Sequence, residues 1–207
     1  MTTTAGIIVA GGRSTRMGTS KALLEWHGST LLRRVTGVVS RALDGPIVVV
    51  RATGQALPDL PAEMLVIDDA REGLGPLQGL ATGLAAVAGR ADSAFVSSVD
   101  VPFLVPAFVR RVVAGLRDGI DIVVPDVAGR RHPLCACYRM SVLPTAEALL
   151  AEGLARAGAL FDRHPTAVLG DDVLRGVDPT LASLRNVNDP AEYRVARDEP
   201  APAVRVE

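Results

Sequence analysis

Apolar positions follow two rhythms along this chain. Continuous runs rich in Val and Ile recur at GIIVA (6–10), PIVVV (46–50), MLVI (64–67), SAFVSSV (93–99) and DIVVP (121–125). Runs of this length without polar alternation predict strands covered on both faces. Between them the spacing becomes helical. In TLLRRVTGVVSRAL (30–43) the apolar residues fall at 31, 32, 35, 38, 39, 42 and 43, a stripe along one helix face. Segments 77–88 and 104–117 read the same way. Strands alternating with helices predict βαβ units, a mostly parallel sheet and right-handed crossovers.

Beyond residue 130 the rhythm breaks. HPLCACYRM predicts a strand, SVLPTAEALLAEG a helix or two short ones, LARAGALFDRH a further helix start and TAVLGDDVL a late strand. The acidic pair Asp171–Asp172 reads as a solvated turn after Gly170. NVNDPAEYRVA predicts a loop feeding a short helix, with Asp189 as N-cap and Pro190 at the first helical position. The expected architecture is α/β, a Rossmann-like three-layer α/β/α sandwich. A single domain over 1–195 is expected, followed by a disordered Pro- and charge-rich tail, 196–207.

At 207 residues the chain can bury one sizeable core. Few aromatics are present, so Val, Leu, Ala and Ile must fill it. A net charge of −1 gives no global reason to expect nucleic acid or an acidic membrane as partner. No apolar run approaches the ~18 residues of a membrane span, and MTTTAGIIVAGG lacks the layout of a signal peptide. Cys135 and Cys137 alternate on one predicted strand, which points both to one face about 6–7 Å apart along the chain. That is a poor disulfide geometry and no zinc pattern, so they read as small core residues. A cytoplasmic monomer is the expectation.

Positive charge concentrates in one place. VAGGRSTRMGTSK (9–21) holds three glycines, two arginines and a lysine with no acid. It leaves the first predicted strand at its carboxyl end, where ligands of parallel α/β sheets gather. The P-loop and Gly-x-Gly-x-x-Gly patterns are both absent. What remains is a Gly-led loop whose backbone N–H groups can face an anion, with Arg13, Arg16 and Lys21 adding full charges. A solvated basic surface is the competing reading of the same residues.

AGGRSTRMGTSK closely resembles the signature of the MobA-like nucleotidyltransferases. The likeness continues in order through GLGPLQGLATGL (73–84), SSVDVPFL (97–104), RHPLCACY (131–138) and NVND (186–189), over residues 5 to 195. Within that superfamily it is most similar to the molybdenum cofactor guanylyltransferases. The resemblance implies a nucleotide-diphospho-sugar transferase-like fold and transfer of GMP from GTP to molybdopterin with release of pyrophosphate. It further implies Mg2+ (or Mn2+) as cofactor and a handover from the protein that inserts molybdenum.

Carried over residue by residue, Ala10, Gly11 and Gly12 would line the guanine and phosphates. Arg16 and Lys21 would sit on the phosphate chain, with Arg13 beside them. Asp69 would lie by the guanine, and Gly79 would allow close approach of the base or ribose. Asp100 would hold magnesium, and Asn186 and Asn188 would stand near the metal and second substrate. For Asp100 the bland alternative is a turn cap before Val101–Pro102. His132 reads as a structural group or a substrate contact, because an ionised phosphate nucleophile demands no general base.

Two departures stand out: Ser20 replaces the Asp that many relatives carry before the loop lysine, and Arg51-Ala52-Thr53 replaces a loop with Asn. Related cytidylyltransferases typically read Ala-Ala-Gly in the loop. Gly11 is therefore expected to widen the floor of the base site and favour a purine. A cytidylyltransferase, a nucleotide-binding regulatory module without catalysis, and an interaction protein with a basic loop are the other readings.

Overall fold

The computed structural model describes residues 2–11, 20–69, 71 and 73–200. In chain order the elements are β1 (Thr4–Val9), β2 (Glu25–Trp26), β3 (Ser29–Thr30), α1 (Leu31–Ala42), β4 (Ile47–Ala52), β5 (Leu65–Asp69), α2 (Pro76–Val87) and β6 (Ser93–Ser98). There follow α3 (Pro106–Val113), β7 (Ile122–Val127), β8 (Arg130–Arg131), β9 (Cys135–Arg139), α4 (Leu143–Ala151), β10 (Thr166–Leu169), α5 (Asp171–Arg175) and α6 (Pro190–Asp198).

The main sheet runs β10-β7-β9-β6-β1-β4-β5, with β8 paired to β7. β5, β4, β1 and β6 are mutually parallel, as are β7 and β10. β9 lies antiparallel between β6 and β7. Period-2 alternation sorts the strand residues onto two faces. Ile8, Val49, Phe95, Val123, Cys135 and Cys137 join the apolar residues of α1 and α3 in one core. Ile7, Val48, Val50, Val96, Ala136 and Tyr138 join those of α2 and α4 in the other. The sandwich is therefore three-layered, helices over sheet over helices.

The predicted helices fall within a residue or two of α1, α2 and α3 at most ends. Thr30 caps α1 by accepting from Arg33 N–H at 3.3 Å. Pro76 and Pro106 sit in the first turns of α2 and α3, where a missing N–H costs nothing. Both cysteines are buried and free, and burial pushes both thiols up, Cys137 to about 12.

Several expectations change. β5 is an edge strand with alternating exposure and so is not covered on both faces. The late strand ends at Leu169, and Asp171–Asp172 opens α5, where carboxylates suit a helix N-terminus better than a solvated turn. The helix start after Leu154 is a 3-10 segment, Ala157–Asp162. Ordered chain extends past 195: α6 runs to Asp198, Ala196 is fully buried, and Glu199 pairs with Arg185 at 2.7 Å. Residues 201–207 lie outside the described residues. Among the described residues no helix is long and apolar enough to cross a membrane.

Candidate active site

The carboxyl ends of β1, β4 and β6 converge on one edge, and the side chains singled out from the sequence divide around it. Past β1, Ala10 N–H and Gly11 N–H both donate to Val50 O, at 2.8 and 3.1 Å, so the chain leaves the sheet pinned to β4. A Cβ on Gly11 would lie 2.9 Å from the backbone N of Ala52. Glycine at 11 is thus required by close passage over β4, and it also lines the cavity described below. Gly12, Arg13 and Arg16 lie outside the described residues.

Lys21 opens a short 3-10 turn, Lys21–Leu23, and its Nζ donates to Asp100 Oδ2 at 2.8 Å and to Asn188 Oδ1 at 3.2 Å. Asp100 follows β6. Its Oδ1 accepts from Ser98 Oγ at 2.6 Å and from Asn186 Nδ2 at 2.7 Å. Its backbone carbonyl accepts from Val187 N–H at 2.9 Å, which ties the late Asn-Val-Asn segment to the end of β6. None of these partners of the Asp100 side chain is a backbone N–H, so the carboxylate is no turn cap. Lys21 and Asp100 are 15% and 14% exposed in their side chains, shielded enough for a strong charge-assisted bond yet open to a ligand.

Asp69, Gly11, Gly73, Gly75, Pro76, Gly79 and Leu134 line a cavity of about 420 Å³ beside this cluster. Asp69 ends β5, and its Oδ1 faces Thr82 Oγ1 and Arg71 N–H at long distances of 3.4 Å. Gly75, at φ 78°, turns the chain sharply into α2. Gly79 does line the cavity, but its missing side chain serves packing as well: a Cβ there would meet Val9 Cγ1 at 2.9 Å. A smaller cavity of about 220 Å³ holds Ser98, Asp100, Asn186, Arg130, Arg131 and His132. Burial and the neighbouring Arg130 hold the His132 imidazole below its usual pKa, with Asp126 opposing them, so the ring is uncharged at neutral pH.

Sequence reasoning missed three supports. Gln55 donates to Ala10 O (3.1 Å) and Ser20 Oγ (2.8 Å) while accepting from Ala52 N–H (3.0 Å), so it stitches the β1 exit to β4. Ser98 orients Asp100, and Thr82 stands against Asp69; only Ser98 had a signal, in the SSVD run. The departures also find partners: Arg51 pairs with Asp68 at 2.6 Å, and Thr53 Oγ1 donates to Asp69 O.

A mostly parallel α/β sheet that gathers a lysine, a carboxylate and two carboxamides at its carboxyl edge, beside a cavity of nucleoside size, defines a nucleotide-handling fold. The model of the MobA-like NTP transferase domain matches residues 6–168, and the chain belongs to that family of nucleotidyltransferases. It is 33% identical over 192 residues to a molybdenum cofactor guanylyltransferase of Desulfosudis oleivorans, covering 92% of this chain and 93% of that protein. It is 37% identical over 202 residues to a probable molybdenum cofactor guanylyltransferase of Mycobacterium ulcerans, covering 96% and 92%. Among solved structures it is similar in fold to molybdopterin-guanine dinucleotide biosynthesis protein A from Archaeoglobus fulgidus, with TM-score 0.77, 22% identity and coverage of 94% and 97%. A Mycobacterium tuberculosis protein solved in complex with manganese shares the fold with TM-score 0.68 and 21% identity, covering 96% and 100%.

Proposed function

We propose that this chain is a cytoplasmic enzyme that transfers GMP from GTP to molybdopterin and releases pyrophosphate. The observation that carries the reading is the cluster Lys21–Asp100–Asn186–Asn188 set against the cavity that contains Asp69. The relatives named above support the choice of substrates.

In this reading an ionised oxygen of molybdopterin's terminal phosphate attacks the α-phosphorus of GTP. The bond from that phosphorus to the α,β-bridging oxygen breaks, and pyrophosphate leaves with the electron pair. No proton has to be removed from the nucleophile, so the protein's work is positioning and charge neutralisation. Lys21 moves its charge from Asp100 to the triphosphate, joined by Arg13 and Arg16, and Gly12 belongs with the residues assigned to line the guanine and phosphates. Ala10, Gly11 and Gly79 bound the nucleoside. Asp69 offers a carboxylate to the base: guanine presents two adjacent donors on its pairing edge, whereas cytosine presents one donor and two acceptors.

A divalent ion fits the residues present. Mg2+ takes one or two carboxylates with neutral oxygens, water and substrate phosphates. Asp100 and the Asn188 carboxamide oxygen are such a set, and among the described residues no cluster of three His, Cys, Asp or Glu makes an all-protein cage. Bound there with the triphosphate, magnesium supplies charge neutralisation of the phosphate oxygens. Asn186 and Ser98 hold the Asp100 carboxylate in place for it.

The test is thermal stability with GTP, CTP, ATP and UTP, with and without magnesium, followed by pyrophosphate release with molybdopterin. Ligand at 100 times its dissociation constant adds about 2.7 kcal/mol. Selective stabilisation by GTP with magnesium, and loss of turnover in a folded Asp100→Ala variant, are expected. Selective stabilisation by CTP would overturn the choice of nucleotide, and undiminished turnover in the variant would overturn the role of Asp100.

A further inference from the structure

The β7–β8 hairpin carries two arginines that the reaction described above does not use. Its turn, Ala128–Gly129, has positive φ at both positions, 52° and 76°. Such I′ geometry matches the twist of the flanking strands, although a left-handed conformation is unfavourable for an alanine. The turn therefore fixes a tight hairpin, with Arg130 opposite Val127 and Arg131 opposite Asp126. His132 continues it, its N–H donating to Pro125 O and its carbonyl accepting from Cys135 N–H, both at 3.0 Å.

These three residues line the 220 Å³ cavity together with Ser98, Asp100 and Asn186. Pro76 and Leu134 line both this cavity and the 420 Å³ one, so the two are neighbours across these residues. Arg131 has loose partners: Asp126 at 3.8 Å from Nε, and the Phe161 ring at 5.4 Å from its guanidinium carbon. Among the described residues Arg130 has no ion-pair partner. The arginines bring two positive charges to a cavity in which, among the described residues, Asp100 is the only carboxylate in the lining.

Asp100 divides the site. Its Oδ2 is held by Lys21, which does not line the smaller cavity, and its Oδ1 is held by Ser98 and Asn186, which do. An in-line displacement needs the entering and leaving oxygens on opposite sides of the phosphorus. With Lys21 on the triphosphate at the Oδ2 side of Asp100, the cavity lined by the hairpin, by Ser98 and by Asn186 offers room for the entering oxygen. Guanidinium groups there suit a phosphate, because their planar fork donates to two oxygens at once.

We infer that the 220 Å³ cavity is the acceptor site, in which Arg130 and Arg131 bind the terminal phosphate monoester of the second substrate beside Asp100 and His132 adds a hydrogen bond. The inference rests on the nucleotidyl-transfer reading and gives it acceptor residues.

The experiment uses the full chain and the variants Arg130→Ala, Arg131→Ala and the double substitution, with methyl phosphate as a probe of the monoester group. Calorimetric titration of methyl phosphate into protein saturated with GTP and magnesium reads the site without turnover. The parent is expected to bind it and the double variant to bind roughly 10–100-fold more weakly, while stabilisation by GTP stays at the parental level. In pyrophosphate-release assays the KM for molybdopterin rises by a similar factor, with a much smaller change in kcat, and Arg130→Lys restores part of it. Equal methyl phosphate affinity in parent and double variant, or an unchanged KM, overturns the assignment. If the parent binds methyl phosphate through these arginines yet releases no pyrophosphate with any pterin acceptor, the nucleotidyl-transfer reading fails and the phosphate site stands.

Discussion

In the guanylyl-transfer reading, Asp69 is the residue on which the choice of base turns. Its carboxylate ends an edge strand, lines the 420 Å³ cavity and, among the described residues, makes only long contacts of 3.4 Å on Oδ1. A carboxylate with weak internal partners is ready to accept from a ligand, and a bond to a charged acceptor contributes about 1.5–3 kcal/mol. Asp69→Asn keeps the volume and replaces one acceptor by a donor, which then faces a guanine donor. The variant is expected to bind GTP roughly 10–100-fold more weakly, about the same energy range, with little change in CTP binding. Titration with both nucleotides in the presence of magnesium checks this, and equal GTP affinity in variant and parent would remove Asp69 from the base site. The residue was visible in the sequence only through its place before the Gly-rich turn. Its support by Thr82 was not, because the two meet only once α2 is laid against the end of β5.

Among the elements, α2 shows how the same residue type serves opposite ends. Gly79 and Gly83 face β1, where added Cβ atoms would run into Val9 and Ile7, both packed against the same helix. Gly37, in α1, would meet only the Arg41 guanidinium, at 3.5 Å. Gly→Ala in an open helix position gains about 0.5–1 kcal/mol through the unfolded chain and helix propensity. Overpacking a tight core costs about 1–3 kcal/mol. Urea denaturation should therefore show Gly37→Ala stabilised by about 0.5–1 kcal/mol and Gly83→Ala destabilised by about 1–2 kcal/mol net of its helix gain. Stabilisation by Gly83→Ala would mean that α2 can move off the sheet at little cost. At this scale the apolar runs revealed where strands and helices lie, since period and length carry that information. They did not reveal that CACYR enters the sheet antiparallel between β6 and β7. Its residues are buried on both faces, and a strand covered on both faces reads the same in either direction.

Over the whole molecule, the site is assembled from segments far apart in the chain: the β1 exit, the end of β6 and the stretch after residue 185. The first two were legible because strand carboxyl ends of a parallel sheet share an edge. The third could be placed only by its resemblance, because no periodicity says where a loop docks. Its docking is now explicit. Arg185 forms two bonds to Glu199, at 2.8 and 2.7 Å, and lies 4.6 Å over the Phe103 ring. Tyr193 Oη donates to Glu25 O, and Asn188 N–H donates to Glu192 at 2.7 Å. These contacts fix α6 so that Asn186 and Asn188 reach Asp100 and Lys21. Arg185 holds the Glu199 carboxyl below its usual range and is itself held above its own. The pair therefore contributes fully above the ordinary carboxylate range, and its contribution fades as pH falls through the depressed value. Both partners are well exposed, so global stability changes little. Arg185→Ala should accordingly lower turnover several-fold while shifting the melting midpoint by only a small amount, because it frees the segment that presents the two asparagines and leaves the sheet intact. Turnover and thermal denaturation measured side by side at pH 7 test this. Parental turnover in the variant would show that Asn186 and Asn188 hold their places without the strap, and a collapse of stability would show that α6 belongs to the core.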